Sequence, residues 1–453
     1  MAKQMTKFVC NNCGAQYSSW AGRCSQCGEW NTITEEVQLT AVSGTGLGKK
    51  AGRGAVLRPQ AVSTSATRDE KRMRTGITDV DAVLGGGLVA GSVNLIAGQP
   101  GIGKSTLLLQ LAGLVAAEYR VLYVSGEESE HQVGMRAKRL GISAEGLQLA
   151  TSNIAEDVAA TVMEGAYDFV VVDSIQTMTV SAVASAPGSV SQITNSTAVL
   201  VASAKASNTA MFVVGHVTKE GSIAGPKVLE HIVDVVLQLE GDAYGGFKVL
   251  RATKNRFGPT SEAAIMEMDE HGLRPVANPS QALLAERQIT DGSVVLATLE
   301  GTRPLLVEVQ ALVNKTSYGY PKRAASGIDL TRVNLLVAML ERRTKLALSD
   351  QDIYINIVGG IRLQDPAADL AICMAIGSAA KGLQLKQNAV VFGEVGLSGE
   401  VRHVPFIEKR VAEAKKLGFE VAIGPQDRSA RGKQSFLHVV PDVRTALNEF
   451  LEK

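Results

Sequence analysis

Residues 98–106 of this chain read Gly98-Gln99-Pro100-Gly101-Ile102-Gly103-Lys104-Ser105-Thr106, between the apolar run SVNLIAG and the helical pattern LLLQLAGLVAAE. No other feature restricts the fold so tightly. A strand, a glycine-rich turn and a helix N-terminus in that order build a phosphate cradle. The glycines let backbone N–H groups turn inward, and the helix dipole adds positive potential. In such a loop Lys104 reaches the β and γ phosphates, Ser105 places a hydroxyl on Mg²⁺, and Thr106 lies near the α-phosphate. The whole stretch from Gly98 to Thr106 is the expected contact for ATP.

A cradle of this kind needs a parallel sheet, and the sequence supplies one. The runs at 92–98, 120–126, 169–174, 211–217 and 235–240 are apolar and alternate with helical segments, which predicts a doubly wound α/β unit. In Phe169-Val170-Val171-Val172-Asp173-Ser174 the carboxylate of Asp173 closes a strand, where open α/β sheets place ligands, and is the expected second Mg²⁺ ligand. Ser125-Gly126-Glu127-Glu128-Ser129 closes another strand. Glu127 there is the expected base for the attacking water, with Glu128 in reserve. Helix N-terminal acids favoured by the dipole are the plainer reading of both. His216 follows a strand as a γ-phosphate sensor or a structural histidine. The next loop carries Lys219 and Lys227, cations suited to DNA phosphates or merely to water. Lys254-Asn255-Arg256 puts two cations on one strand face. They suit phosphoryl-transfer charge across a subunit boundary, or a DNA backbone.

The ends differ from this core. Cys10, Cys13, Cys24 and Cys27 have the spacing C-x2-C-x10-C-x2-C, four thiolates for a closed, structural Zn²⁺ site. The fifth cysteine, Cys373, lies in an apolar stretch and reads as core. Residues 36–70 lack periodicity and read as a flexible linker, which sets a zinc finger at 1–35, an ATPase unit at 71–278 and an α+β unit at 279–453. The chain has 453 residues and a net charge of +1, so no global field draws it to nucleic acid and any anion site is local. No apolar run approaches the ~20 residues that span a bilayer, and the first ten residues lack a signal-peptide core. A soluble, cytoplasmic protein with no membrane partner is expected.

The order of a four-cysteine finger, GQPGIGKST, SGEES, VVVDS, KNRFG and an α+β second half resembles the RadA (Sms) family of bacterial DNA-repair proteins. The resemblance implies a RecA-like ATPase core. It also implies a homohexameric ring, DNA-dependent ATP hydrolysis, and helicase-like branch migration with D-loop extension on single-stranded and branched recombination intermediates. A RecA-type recombinase is the implied partner. RecA-like cores carry a Lys-Asn-Lys stretch that reaches the neighbouring subunit's nucleotide, and Lys254-Asn255-Arg256 occupies the matching place. The second half resembles the Lon protease domain, but Ala367 stands where the nucleophilic serine belongs and Glu408, with Lys409 beside it, where the lysine belongs. Alanine has no nucleophile to activate, which implies a non-proteolytic scaffold. Its cations, Arg332 among them, would then line a basic channel. The competing expectations are an ATP-dependent Lon-like protease and a RecA/KaiC-like signalling ATPase.

Overall fold

Parallel strands buried on both faces need continuous apolar runs, and these runs form strands of one sheet. The computed structural model describes residues 7–10, 16–17, 19–26, 30, 33–36, 72–216, 228–241, 246–317, 319–385, 388–427 and 435–452. The chain divides into two compact units. The first comprises Met1–Pro100, Lys104–Leu237 and Lys254–Gly258. The second comprises Gly101–Gly103, Gln238–Thr253 and Pro259–Lys453.

Near the N-terminus, β1 (Lys7–Cys10), β2 (Gln16–Tyr17) and β3 (Ile33–Glu36) form an antiparallel sheet in the order β2-β1-β3. The predicted linker lies outside the described residues apart from Glu36.

The main sheet contains β4 (Val93–Gly98), β5 (Val121–Ser125), β6 (Leu147–Thr151), β7 (Phe169–Asp173), β8 (Ala210–His216), β9 (Val235–Gly241), β10 (Lys248–Asn255), β11 (Ala263–Asp269) and β12 (Gly272–Pro275). Their order is β12-β11-β10-β9-β4-β8-β7-β5-β6. β4, β8, β7, β5 and β6 are parallel, and β10, β11 and β12 antiparallel. This is the doubly wound, parallel-rich α/β sheet that the apolar runs predict. Every residue of β4 and β5 is buried, whereas β6 at the sheet edge is half exposed and carries no apolar run. Helices Ala155–Gly165 and Val190–Ser207 close one core, with Val158, Val162, Ile193 and Leu200 against Leu95, Val170, Val172 and Val213. Burial of each such side chain stabilises by about 1.5–3 kcal/mol. The second of these helices is capped by the Ser189 side chain and ends at Asn208 in the left-handed region, φ 59°.

The second unit is α+β, as expected. Ser293–Glu300 and Arg303–Lys315 form an antiparallel hairpin within a mixed seven-stranded sheet. Helix Ala368–Lys381 is buried from Ala368 to Ser378, which its small side chains permit. Cys373 is fully buried within it. Burial, then Asp369, pushes its thiol pKa well up, as suits a packing residue. Among the described residues no helix is long and apolar enough to cross a membrane.

Candidate functional site

β4 ends at Gly98, and helix Lys104–Val115 begins six residues later. Gly101 and Gly103 turn the chain with φ 78° and 114°, a region that favours glycine. A Cβ on Gly101 would meet nothing within 4 Å, so this side of the cradle is open. Ile102 is buried beneath the turn. Gln99 and Pro100 are exposed, and Ser105 and Thr106 half-buried in the first helical turn. That turn holds no acidic residue to offset the dipole.

Lys104 folds back over its own loop. Its Nζ donates to Gly98 O (2.9 Å) and Gln99 O (3.0 Å), and the residue is 4% exposed. Burial lowers its pKa to about 8, against the opposing pull of Asp173 and Glu127. Those two carboxylates are therefore close enough to act on the lysine. A buried lysine whose hydrogen bonds go to two neutral carbonyls of its own loop fits a polyphosphate, whose charged oxygens can take the place of those carbonyls.

Asp173 ends β7 opposite Ser125 of β5. Its Oδ2 accepts from the Tyr123 hydroxyl at 2.6 Å. Tyr123 is buried, and desolvation and then Asp173 push its pKa well above the ordinary range, so the hydroxyl stays a donor. Glu127 accepts from the hydroxyl of Ser174. β5 and the turn after it thus contribute a hydroxyl and a carboxylate, β7 and the residue after it a carboxylate and a hydroxyl, and each hydroxyl holds the other segment's acid. Gly126 makes this possible, because a Cβ there would lie 2.2 Å from Thr177 Oγ1.

Glu127 and Glu128 part company. Glu128 is paired with Arg136, in the second turn of helix Glu130–Arg139, and its N–H donates to Ser125 Oγ at 2.9 Å. Ser129 and Gln132 cap that helix reciprocally. Ser105, Asp173 and Glu127 supply hard oxygen donors of the kind Mg²⁺ takes, beside the cradle lysine.

Lys254 lies on β10, which ends at Asn255, so Arg256 falls one residue past the strand on which the spacing predicts a shared face, yet it stays near enough to act on Lys254. The Nζ of Lys254 donates to Glu230 O (2.6 Å) and Val233 O (2.7 Å), capping helix Val228–Ile232. Its pKa is lowered, chiefly by burial and then by Arg256. Arg256 pairs with Asp234 (3.2 Å) and is half exposed. Asp234 also accepts from Val93 N–H at 3.1 Å, which ties the cations to the start of β4. The following turn is clamped. Asn255 Nδ2 donates to Val83 O (3.2 Å), and Arg72 donates to Phe257 O (2.7 Å) and to Gly85 O. A Cβ on Gly258 would stand 2.6 Å from Gly85 Cα, so KNRFG ends in glycine for backbone approach.

The predicted DNA-contacting Lys219 and Lys227 lie outside the described residues, as do Cys13, Cys27 and the side chains of Cys10 and His216. Cys24 is buried, its Sγ 3.0 Å from the Tyr17 hydroxyl. Four thiols with no carboxylate among them are a donor set that suits zinc in a closed structural site.

In the second unit, Ala367 is fully buried and its N–H donates to Asp365 (3.0 Å). Asp365 is paired with Arg410 (2.8 Å), which is 0% exposed and also donates to Ala297 O (2.6 Å). Asp369 is paired with Arg332 and accepts from Val395 N–H (3.1 Å). Arg332 is therefore committed to a buried carboxylate. Lys409 donates to Thr302 O (3.2 Å) with its Nζ 5.2 Å from the Phe406 ring centroid, and Glu408 is exposed.

The residues that sequence reasoning missed are Tyr123, Ser174, Arg136, Asp234 and Arg72. The first was within reach: Tyr123 and Ser125 alternate on one face of β5, the face Asp173 shares.

Three family models match the chain: an AAA domain over residues 59–222, a rubredoxin metal binding domain over 8–35, and subunit ChlI of Mg-chelatase over 330–428. The chain is 48% identical to the DNA repair protein RadA of Bacillus subtilis, over 94% of this chain and 93% of that protein. It is 46% identical to that of Pseudomonas aeruginosa, over 98% of each, and 46% identical to that of Escherichia coli, over 92% of each.

Proposed function

Because the chain belongs to the RadA family of DNA repair proteins, we propose that its ATPase core drives branch migration and D-loop extension as a ring-shaped, DNA-dependent motor. The observation that carries this reading is the convergence of Lys104, Asp173 and Glu127 at the carboxyl ends of β4, β7 and β5, with Glu128 drawn off by Arg136.

Lys104 exchanges its two carbonyl partners for phosphate oxygens. Glu127 accepts the proton of the attacking water, a role worth about 10²–10⁴ in rate. Ser105 and Asp173 would hold Mg²⁺, which supplies charge neutralisation on the transferred phosphoryl group. Lys254 and Arg256 sit together on the first unit and offer a paired cationic edge to the nucleotide of an adjoining protomer in a homohexamer, or to a DNA backbone. Lys254 also holds helix Val228–Ile232, which directly follows the segment of the sequence that carries Lys219 and Lys227. Movement of this lysine toward phosphate would release that helix and alter the grip of those lysines on single-stranded DNA. The four cysteines would hold the finger together with zinc, and the second unit serves as a non-proteolytic scaffold.

The test is the steady-state ATPase rate with and without single-stranded DNA, alongside branch migration. Stimulation by DNA, lost in Lys104→Ala, supports the motor. A rate indifferent to DNA favours a signalling ATPase. Lys254→Ala should stop migration more than it weakens ATP binding, and migration at the unmutated rate would remove the trans role. ATP-dependent casein degradation would restore the protease reading, which the buried Ala367 opposes.

A further inference from the structure

Only two tryptophans occur in the sequence, and both stand in the N-terminal segment with their surfaces in solvent: Trp20 is 60% exposed and Trp30 67%. An isolated antiparallel bridge joins Arg23 to Trp30, and the Arg23 guanidinium lies 5.7 Å from the Trp30 ring centroid. Gly22 lies between the rings. A Cβ there would stand 3.7 Å from Cη2 of Trp20 and 3.9 Å from Cζ3 of Trp30. The two indoles therefore flank one small space, which glycine leaves open, with a cation at its edge. Two large aromatic surfaces left in water forgo burial free energy, and such paired exposure marks a binding surface.

We propose that Trp20, Trp30 and Arg23 form a stacking platform for the unpaired bases of single-stranded DNA. Every base offers a π-face, so the platform is tolerant of sequence, and Arg23 adds cation–π and phosphate attraction. Paired bases are stacked inside a duplex and present no free face, so the platform selects single strands. The planar guanidinium beside the indole favours a polyanion with flat bases over an aliphatic peptide. The proposal rests on the reading of this chain as a DNA-binding protein and assigns that binding a second set of residues, distinct from those of the nucleotide loop.

Because the chain has no other tryptophan, its tryptophan emission, excited selectively over that of its tyrosines, reports this surface alone. The experiment titrates the full-length, zinc-loaded protein with oligo-dT, following tryptophan emission and, in parallel, the anisotropy of a labelled oligonucleotide. Emission should be quenched in step with binding. Trp20→Ala with Trp30→Ala should weaken binding about tenfold or more. The slope of affinity against salt should hold, because no phosphate contact is removed. Trp20→Tyr with Trp30→Tyr should restore most of the affinity. Should the alanine pair lose zinc, the tyrosine pair and the quenching decide. Binding seen by anisotropy with unchanged tryptophan emission overturns the platform, as does full affinity in the zinc-loaded alanine pair. Failure of the unmutated protein to bind oligo-dT at all overturns instead the DNA reading on which the platform stands.

Discussion

The two units each bury a knot of charge, and they treat it in opposite ways. In the first unit Lys104 is buried against neutral carbonyls of its own loop, with Asp173 and Glu127 near enough to act on it but each held by a hydroxyl. In the second, Asp365 meets Arg410 and Asp369 meets Arg332, and backbone N–H groups fill much of what remains of each carboxylate. Charges that answer one another inside the protein stabilise a shape and offer a ligand little. Charges held by neutral partners keep an electrostatic demand that a polyphosphate and its cation can meet. The difference separates charges that a ligand can still recruit from charges already closed on each other.

The contrast can be broken by mutation. Its largest expected effect is at Glu127. Glu127→Gln should cut the ATPase turnover number about 10²–10⁴-fold with nucleotide binding retained, while Glu128→Gln should leave turnover within about threefold. Equal losses in the two would show that the Arg136 pair does not separate them. In the second unit, Arg410→Ala strands Asp365 without a counter-charge. It should cost about 3–5 kcal/mol of stability in denaturant unfolding, with the ATPase turnover of the folded fraction unchanged. Ala367→Ser combined with Glu408→Lys should still yield no casein degradation, because position 367 is fully buried with its N–H held by Asp365. A smaller effect is expected of Tyr123→Phe, which removes one hydrogen bond to a carboxylate. It should raise the Mg²⁺ requirement of hydrolysis roughly tenfold, with recovery at high Mg²⁺.

The finest test is protonic. The free protein loses the Lys104 proton as pH rises through about 8, whereas a bound triphosphate favours the charged form. Nucleotide affinity should therefore be flat with pH below that point and fall above it. Calorimetry in buffers of different ionisation enthalpy should record uptake of up to about half a proton at pH 8. No uptake would mean that the lysine is charged before the nucleotide arrives.

Most of the first unit is legible in the order of its residues. Unbroken apolar runs such as FVVVD leave no other element than a buried strand, and β7 spans those residues. β6 is not legible in this way, since an edge strand half in solvent carries no such run. The cradle and both carboxylates follow from motif and strand order alone. The different partners of Glu127 and Glu128 do not, because Ser174 and Arg136 meet them only in the fold.

The sequence alone determined what chemistry the chain carries: a phosphate loop, a strand-end carboxylate, four thiols and a missing serine. Each is a local pattern whose meaning survives without its neighbours. Tertiary structure alone decided which charges are satisfied. Tyr123 and Asp173 lie 50 residues apart, Asp365 and Arg410 lie 45 apart, and only folding brings them within hydrogen-bonding reach. Electrostatic energy depends on separation in space and on burial, and neither is written in the order of residues along the chain.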